Sequence, residues 1–267
     1  MSAIRYDSQT KDRDTPDQAT FPTAGRRRWR LLNRKSAALA AATVLPAMAA
    51  ASPSPSASSG ACSGGVAARL ACIDQRASQA VSARETALQQ MTSDVNNSAD
   101  ITSSNKATLL GQLSADESGL QTLLTTIDAD TTVSKALADT ATIVTGYRVF
   151  LLEQPKVHLV IAADTESTVE ANLQSKLPTI QTAINNSNAS AAKKAAAQTA
   201  FNDCTTQLAT AQSASSGIDA DVINLLPSGY PGNQPTLASA KDQAQTARTD
   251  LGKCRTDIQT IRTDLSS

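Results

Sequence analysis

Aromatic residues are scarce in this sequence. Its 267 residues include three Phe, three Tyr and one Trp, together with only 11 Gly. An all-β protein needs a larger supply of aromatic and β-branched residues, whereas the Ala, Leu and Gln that are abundant here favour helices. The composition therefore argues against an all-β fold and predicts an all-α protein.

Residues that carry catalysis or bind metals are also scarce. His158 is the single histidine and the four Cys residues form no C-x-x-C pair, so no metal or cofactor site is expected. The sequence contains no G-x-S-x-G, P-loop or dinucleotide-binding motif. A lone histidine flanked by Val157 and Leu159 is more often a packing residue than an acid or base. We therefore expect that the protein is not an enzyme.

The charges balance over the whole chain but not along it. Residues 1–51 hold nine Lys or Arg and four Asp, a net charge of +5, which leaves −5 on residues 52–267. A weakly acidic body lacks the basic surface that nucleic-acid binding requires. No nucleic-acid partner is therefore expected.

Residues 1–51 predict a signal peptide with a long polar leader. Six Lys or Arg lie between residues 26 and 35, and a small apolar run over 36–51 ends in two A-x-A sites. A membrane span needs roughly 20 apolar residues, and this shorter run is also interrupted by Pro46. Cleavage is therefore favoured over anchoring, so we expect a secreted or cell-envelope protein with no transmembrane span in the mature chain.

The mature chain divides into three predicted segments. Residues 52–64 form a Ser/Pro linker, 65–187 a helical body, and 189–267 a C-terminal antiparallel helical hairpin. Apolar residues recur at spacings of three and four without interruption over 197–225, and again over 237–265, which is typical of coiled-coil seams. The predicted architecture is an elongated antiparallel helical bundle with coiled-coil hairpins.

The stretch 143–164 is expected to anchor the core of the helical body. It holds Tyr147 and Phe150 and the densest run of large apolar side chains, each of which stabilises by about 2 kcal/mol when buried. Because the residue before Pro155 is biased toward extended geometry, we predict a short extended crossing near 147–154. The alternative is one kinked helix, since the apolar residues keep their spacing of four and three through this stretch.

Charged residues of the same stretch are candidates for ligand binding. Arg148, in the expected core anchor, can bind the carboxylate of a ligand or pair internally with Glu153 or Asp164, and internal pairing is the simpler expectation. Glu166 and Glu170, one helical turn apart, are expected to form a solvated helix face rather than share a proton or bind a cation. The candidate ligand-binding residues are Tyr147, Arg148, Lys156 and His158.

Four cysteines in an exported chain predict disulfide bonds. Counted along the two seams from the loop at 226–235, Cys204 and Cys254 lie within about one layer, on the order of 5 Å along the helix axis. This favours a Cys204–Cys254 bond and leaves Cys62 with Cys72. The other two pairings, and buried thiols, stay open.

Three short segments carry a resemblance. They are Tyr147-Arg148-Val149-Phe150, Pro155-Lys156-Val157-His158 and Ala162-Ala163-Asp164. The chain here resembles a group of uncharacterised exported bacterial helical proteins, which place Y-R-[VI]-[YF], Pro-[Lys/Gln] and A-A-D segments after two long helices. The resemblance covers about residues 70–185. It implies export and a helical fold and adds no mechanism.

These observations lead to two functional hypotheses. The first is a non-enzymatic secreted or cell-envelope scaffold, which presents helical surface to a protein partner. The alternative is a binding module that recognises a small acidic ligand or a cell-wall component at the Tyr147–Asp164 region.

Overall fold

The computed structural model describes residues 62–266, so the predicted signal peptide and most of the predicted linker lie outside the described residues. Every regular element within that range is helical, which confirms the all-α prediction. The elements are α1 (Val66–Asn97), α2 (Ser103–Asp128), α3 (Val133–Thr145), the π-helical turn (Val149–Glu153), α4 (Gln154–Gln174), α5 (Leu177–Asn185), α6 (Ala191–Ser215), α7 (Ile218–Ile223), the 3₁₀ turn (Pro227–Gly229) and α8 (Gln234–Leu265).

Side-chain caps fix the start of three helices. Thr102, Thr132 and Ser190 each precede a helix, and the hydroxyl oxygen of each accepts a hydrogen bond from the backbone amide three residues later. Such a cap satisfies an amide that has no partner within the helix and typically contributes about 1 kcal/mol. The local sequence thus specifies where α2, α3 and α6 begin.

The predicted uninterrupted seam over 197–225 is broken in the structure. Helix α6 ends at Ser215, Gly217 adopts a left-handed conformation with φ 87°, and α7 begins at Ile218. Glycine adopts positive φ without the steric penalty of a Cβ atom. The apolar spacing of three and four nevertheless continues across this break, and Ile218 and Val222 of α7 are buried as well.

The largest core cluster draws on α1, α2, α3, the π-helical turn, α4, α7 and α8. Helix α4 packs against α1, α6, α7 and α8, while α3 packs against α1 and α2. Tyr147 and Phe150 lie half-buried at the edge of this core, and the Arg84 guanidinium is 5.5 Å from the centre of the Phe150 ring. The stretch 143–164 supplies a large share of the buried apolar side chains, namely Ile143, Val149, Leu152, Val157, Leu159, Val160 and Ala163.

The predicted extended crossing near 147–154 is wrong. The Arg148 carbonyl accepts hydrogen bonds from the amides of Leu151, Leu152 and Glu153, and this π-helical turn runs directly into α4. Pro155 lies in the first turn of α4, directly after the π-helical turn, so the helix continues through it despite its missing N–H. The alternative of one kinked helix is closer to the structure, because only three residues, 146–148, separate α3 from the π-helical turn.

Helices α6 and α8 share the most extensive helix–helix contact of the described residues. Cys204 of α6 is bonded to Cys254 of α8, and Cys62 is bonded to Cys72 of α1, which are the two predicted pairs. Between residues 62 and 266, no helix is both long and apolar enough to cross a membrane. The buried residues of α8 largely keep the predicted spacing, namely Leu237, Ala240, Ala244, Ala247, Asp250, Leu251, Cys254 and Ile261.

Two adjacent leucines of the π-helical turn test its packing. Leu152 is 0% exposed and Leu151 is 43% exposed. We expect Leu152→Ala to lower the free energy of unfolding by about 2–5 kcal/mol, the usual result of truncating a buried leucine. Leu151→Ala, the matched control, should change it by less than about 1 kcal/mol. Chemical denaturation of both variants measures the difference, and equal effects would contradict the described turn.

Candidate functional site

Buried charged side chains are concentrated on α4 and on the π-helical turn before it. Five of the six among the described residues are Glu153, Lys156, Asp164, Glu166 and Glu170, and the sixth, Asp250, lies on α8. Removing a charge from water is unfavourable by several kcal/mol unless the charge is paired or hydrogen-bonded. The partners of these five residues therefore define the candidate site.

The lysine cluster consists of Lys156, Glu153, Asp116 and Tyr147. The Lys156 side chain is almost fully buried, and its Nζ lies 2.7 Å from Glu153 Oε2. The same ammonium donates a hydrogen bond to the Leu225 carbonyl, 3.3 Å away. The pair bridges the junction of the π-helical turn and α4, and the Leu225 contact links it to the segment after α7.

Asp116 of α2 adds a second carboxyl group to the lysine cluster. Burial raises its pKa to about 6, and Glu153 raises it further while Lys156 opposes the shift. Burial likewise raises the pKa of Glu153, again against the effect of Lys156. The pKa of Tyr147 is raised by burial and by Asp116. Two carboxyl groups thus share one ammonium group.

Tyr147 and Arg148 are held by specific contacts. A Cβ atom added at Gly119 of α2 would lie 2.5 Å from the Tyr147 hydroxyl oxygen, so the missing side chain makes room for the phenol. Arg148 is left-handed, with φ 48°, and its guanidinium carbon lies 4.5 Å from the centre of the Tyr230 ring. This is a cation–π geometry. It ties the π-helical turn to the loop before α8.

The expectation that Arg148 pairs internally with Glu153 or Asp164 is wrong. Glu153 pairs with Lys156. Asp164 instead accepts hydrogen bonds from the Thr102 amide at 2.9 Å and from Asn105 Nδ2 at 3.0 Å. Those donors lie at the N-terminus of α2, where a carboxylate is favoured by the helix dipole. Asp164 therefore fastens α4 to the start of α2.

The second group, the arginine cluster, consists of Glu166, Glu170, Arg248 and Ser215. Glu166 Oε1 lies 3.3 Å from Arg248 Nη2, and the Ser215 hydroxyl donates to Glu170 Oε1 at 2.9 Å. Burial raises the pKa of Glu166 to about 7, against the opposing effect of Arg248. Burial also raises the pKa of Glu170, against its hydrogen bond from Ser215.

The expectation that Glu166 and Glu170 form a solvated face is also wrong. Both residues are buried because α6 and α8 cover the side of α4 on which they lie. A single apolar stripe on α4 would leave its opposite face in water. Helix α4 is instead covered on several sides, so its polar residues are enclosed as well.

The four candidate ligand-binding residues point to different surroundings. The Lys156 ammonium faces the interior, and Arg148 stacks on Tyr230. His158 Nε2 lies 3.8 Å from Asp94 Oδ2 of α1, with its side chain partly exposed. The structure thus places Tyr147 and Lys156 in one cluster but directs Arg148 and His158 elsewhere. Ligand binding by the four residues stays a prediction.

Sequence reasoning missed the role of Asp116. The Glu153-x-x-Lys156 spacing between buried Leu152 and Val157 is a usable signal for an internal ion pair, since residues three apart are neighbours on a helix. No comparable signal exists for Asp116, because its contact depends on how α2 packs.

Within residues 62–266, no group of three or more His, Cys, Asp or Glu is arranged to hold a metal ion.

Replacing the buried ammonium tests the lysine cluster. We expect Lys156→Met to lower the free energy of unfolding by about 3 kcal/mol or more at neutral pH, because it leaves two buried carboxyl groups without a cation. Lys241→Met, on the exposed surface of α8, should change it by less than about 0.5 kcal/mol. Urea denaturation distinguishes the two, and an equally small loss for both would show that Lys156 is not paired in the core.

Comparison of the chain with protein-family models, with curated proteins and with solved structures finds no match. The chemistry of the site is therefore argued from its own geometry. Its ionisable groups bind one another or bind neutral polar groups at the start of α2 and on α6, and these contacts join helices.

Proposed function

We propose that the protein is a non-enzymatic secreted or cell-envelope scaffold, which presents helical surface to a protein partner. The observation that carries this proposal is the outer face of α3, defined by Leu137, Ala141 and Val144. Leu137 is 52% and Val144 is 43% exposed, and Ala141 between them is exposed too. An adjacent side of the helix, with Ala136 and Ile143, is fully buried.

The spacing on this outer face suits a helical partner. Leu137, Ala141 and Val144 are separated by four and three residues, which aligns them along one side of a helix. Anchor residues at such spacings are typical of the contact between a helix and a partner's groove or helix. Exposed Ser134 and Thr145, which lie three residues before Leu137 and four after Ala141, supply a polar border on one side of the stripe. The scaffold would bind through the apolar stripe.

The C-terminal helices would make the scaffold rigid. We infer that α6 and α8 form an antiparallel coiled-coil hairpin, because their buried residues recur at spacings of three and four and a short loop follows α7. The Cys204–Cys254 bond joins residues 50 apart in sequence. Closing a loop of that length contributes about 4 kcal/mol in the chain-entropy model. The hairpin would hold α6 and α8 in one fixed arrangement.

Export is supported by the sequence and by the disulfide bonds. A basic segment, an apolar run and A-x-A sites begin the chain. Both cysteine pairs are bonded, and disulfides persist in oxidising compartments outside the cytosol. The resemblance to exported bacterial helical proteins points the same way. These features favour a secreted or envelope location.

A second candidate function is a binding module for a small acidic ligand or a cell-wall component at the Tyr147–Asp164 region. The observation that favours it is the left-handed Arg148 at the head of the π-helical turn. Left-handed non-glycine residues are unfavourable by about 1–3 kcal/mol and cluster at functional sites, and π-helical turns do so too. The half-buried Arg148 guanidinium would receive the ligand's carboxylate.

Affinity capture tests the two candidates together. The purified chain is immobilised and exposed to a cell-envelope extract, beside a Leu137→Asp/Val144→Asp variant and a matched Thr256→Asp/Thr263→Asp variant. The control pair has the same spacing and charge change on the exposed surface of α8. We expect a defined protein to bind the wild-type and control chains, with about tenfold or greater loss on the α3 variant, since a charge in an apolar contact is strongly unfavourable.

Two results would contradict the scaffold. Equal capture by all three chains would show that the outer face of α3 is not the contact surface, and no specific protein on any of them would remove the proposal. Retention of a wall component by the wild-type chain, but not by an Arg148→Ala chain, would support the binding module instead.

A further inference from the structure

Both clusters on α4 have more acid than base. In the lysine cluster the carboxyl groups of Asp116 and Glu153 act on the ammonium of Lys156. In the arginine cluster Glu166 pairs with Arg248, and the carboxyl group of Glu170 acts on Glu166. One cation cannot neutralise two ionised carboxylates, so each cluster gains an excess buried negative charge when both of its acids ionise.

The ionisable groups on the surrounding helices are engaged elsewhere. Arg84 of α1 donates to the Ala80 carbonyl at 2.8 Å and lies over the Phe150 ring. Lys135 of α3 pairs with Asp130 and Asp139. These contacts leave Lys156 as the cation that acts on Asp116.

The ionisable groups on the helices around the arginine cluster are also engaged elsewhere. On α8, Lys253 pairs with Asp250 at 2.7 Å, and on α7, Asp219 accepts a hydrogen bond from Asn105. His158 of α4 faces Asp94 of α1. From α6, the arginine cluster receives the neutral hydroxyl of Ser215. Arg248 is therefore the cation that acts on Glu166.

We propose that α4 is a pH-responsive element, whose packing against its neighbours strengthens when Asp116 and Glu166 bind protons and weakens when they release them. The protonated acids remove the excess negative charge from the two clusters, and each can then donate a hydrogen bond. The ionised acids repel Glu153 and Glu170 within the core. Because α4 contacts α1, α6, α7 and α8, a change at α4 reaches most of the described helices.

The direction of the response follows from proton linkage. The pKa of Asp116 is raised from 3.8 to about 6, and the pKa of Glu166 from 4.5 to about 7, chiefly by burial in both cases. The folded state therefore binds these protons more tightly than the unfolded state. This contribution to stability is complete below the unfolded pKa values and is lost as the pH rises through the folded ones. The stability should fall between about pH 4 and about pH 7.

Denaturation at several pH values tests the proposal on the whole chain. Between about pH 5 and about pH 8, we expect the equilibrium constant for unfolding of the wild-type chain to rise at least about tenfold. The Asp116→Asn/Glu166→Gln variant should lose most of this rise, because its amides do not titrate. The matched variant Asp100→Asn/Asp242→Asn, which alters two exposed carboxylates, should retain it.

Two outcomes would overturn the proposal. One is a wild-type unfolding constant that does not rise over this range, and the other is an equal rise in the amide variant. If the amide variant does not fold, the carboxyl carbon of Glu166 is titrated in the wild-type chain by NMR. A midpoint near 7 supports the proposal, and a midpoint at or below the ordinary glutamate value overturns it.

Discussion

The pairing of Lys156 with Glu153 in the core is the interaction on which the arrangement of the other helices depends. Burying an ammonium is strongly unfavourable unless a carboxylate and further acceptors surround it. The π-helical turn supplies Glu153 and the segment after α7 supplies the Leu225 carbonyl. Asp116 of α2 completes the surroundings. Removing Lys156 would therefore affect α2, α4 and the segment after α7 together.

Helix α4 is the central structural element for the same reason, because its buried charges require partners on the neighbouring segments. Its charged residues contact different neighbours along its length: Lys156 contacts the segment after α7, Asp164 the start of α2, and Glu166 the helix α8. Polar contacts of this kind have strict geometry, so they fix the position of each helix more narrowly than apolar packing does. A scaffold needs such fixed positions if it is to present the outer face of α3 in one orientation.

The sequence predicts much of the fold but little of the candidate site. Helix positions follow from apolar spacing and from caps such as Thr102, which are local signals. The π-helical turn was missed because the bias of the residue before Pro155 is also local, and the tertiary packing of the core overrides it. Burial of Glu166 was missed because it depends on which helices cover α4. No local sequence pattern indicates that Asp116 belongs to the lysine cluster, since its partners lie outside its own helix.

A double-mutant cycle between Glu153 and Lys156 tests the central claim most directly. Free energies of unfolding are measured at neutral pH for the wild-type chain, Glu153→Gln, Lys156→Met and the double variant. If the pair organises the core, the sum of the two single-variant losses should exceed the loss of the double variant. The difference is the coupling free energy, which we expect to be about 2 kcal/mol or more. Losses that add to within about 0.5 kcal/mol would show that the two side chains do not interact in the folded protein, and would contradict the account.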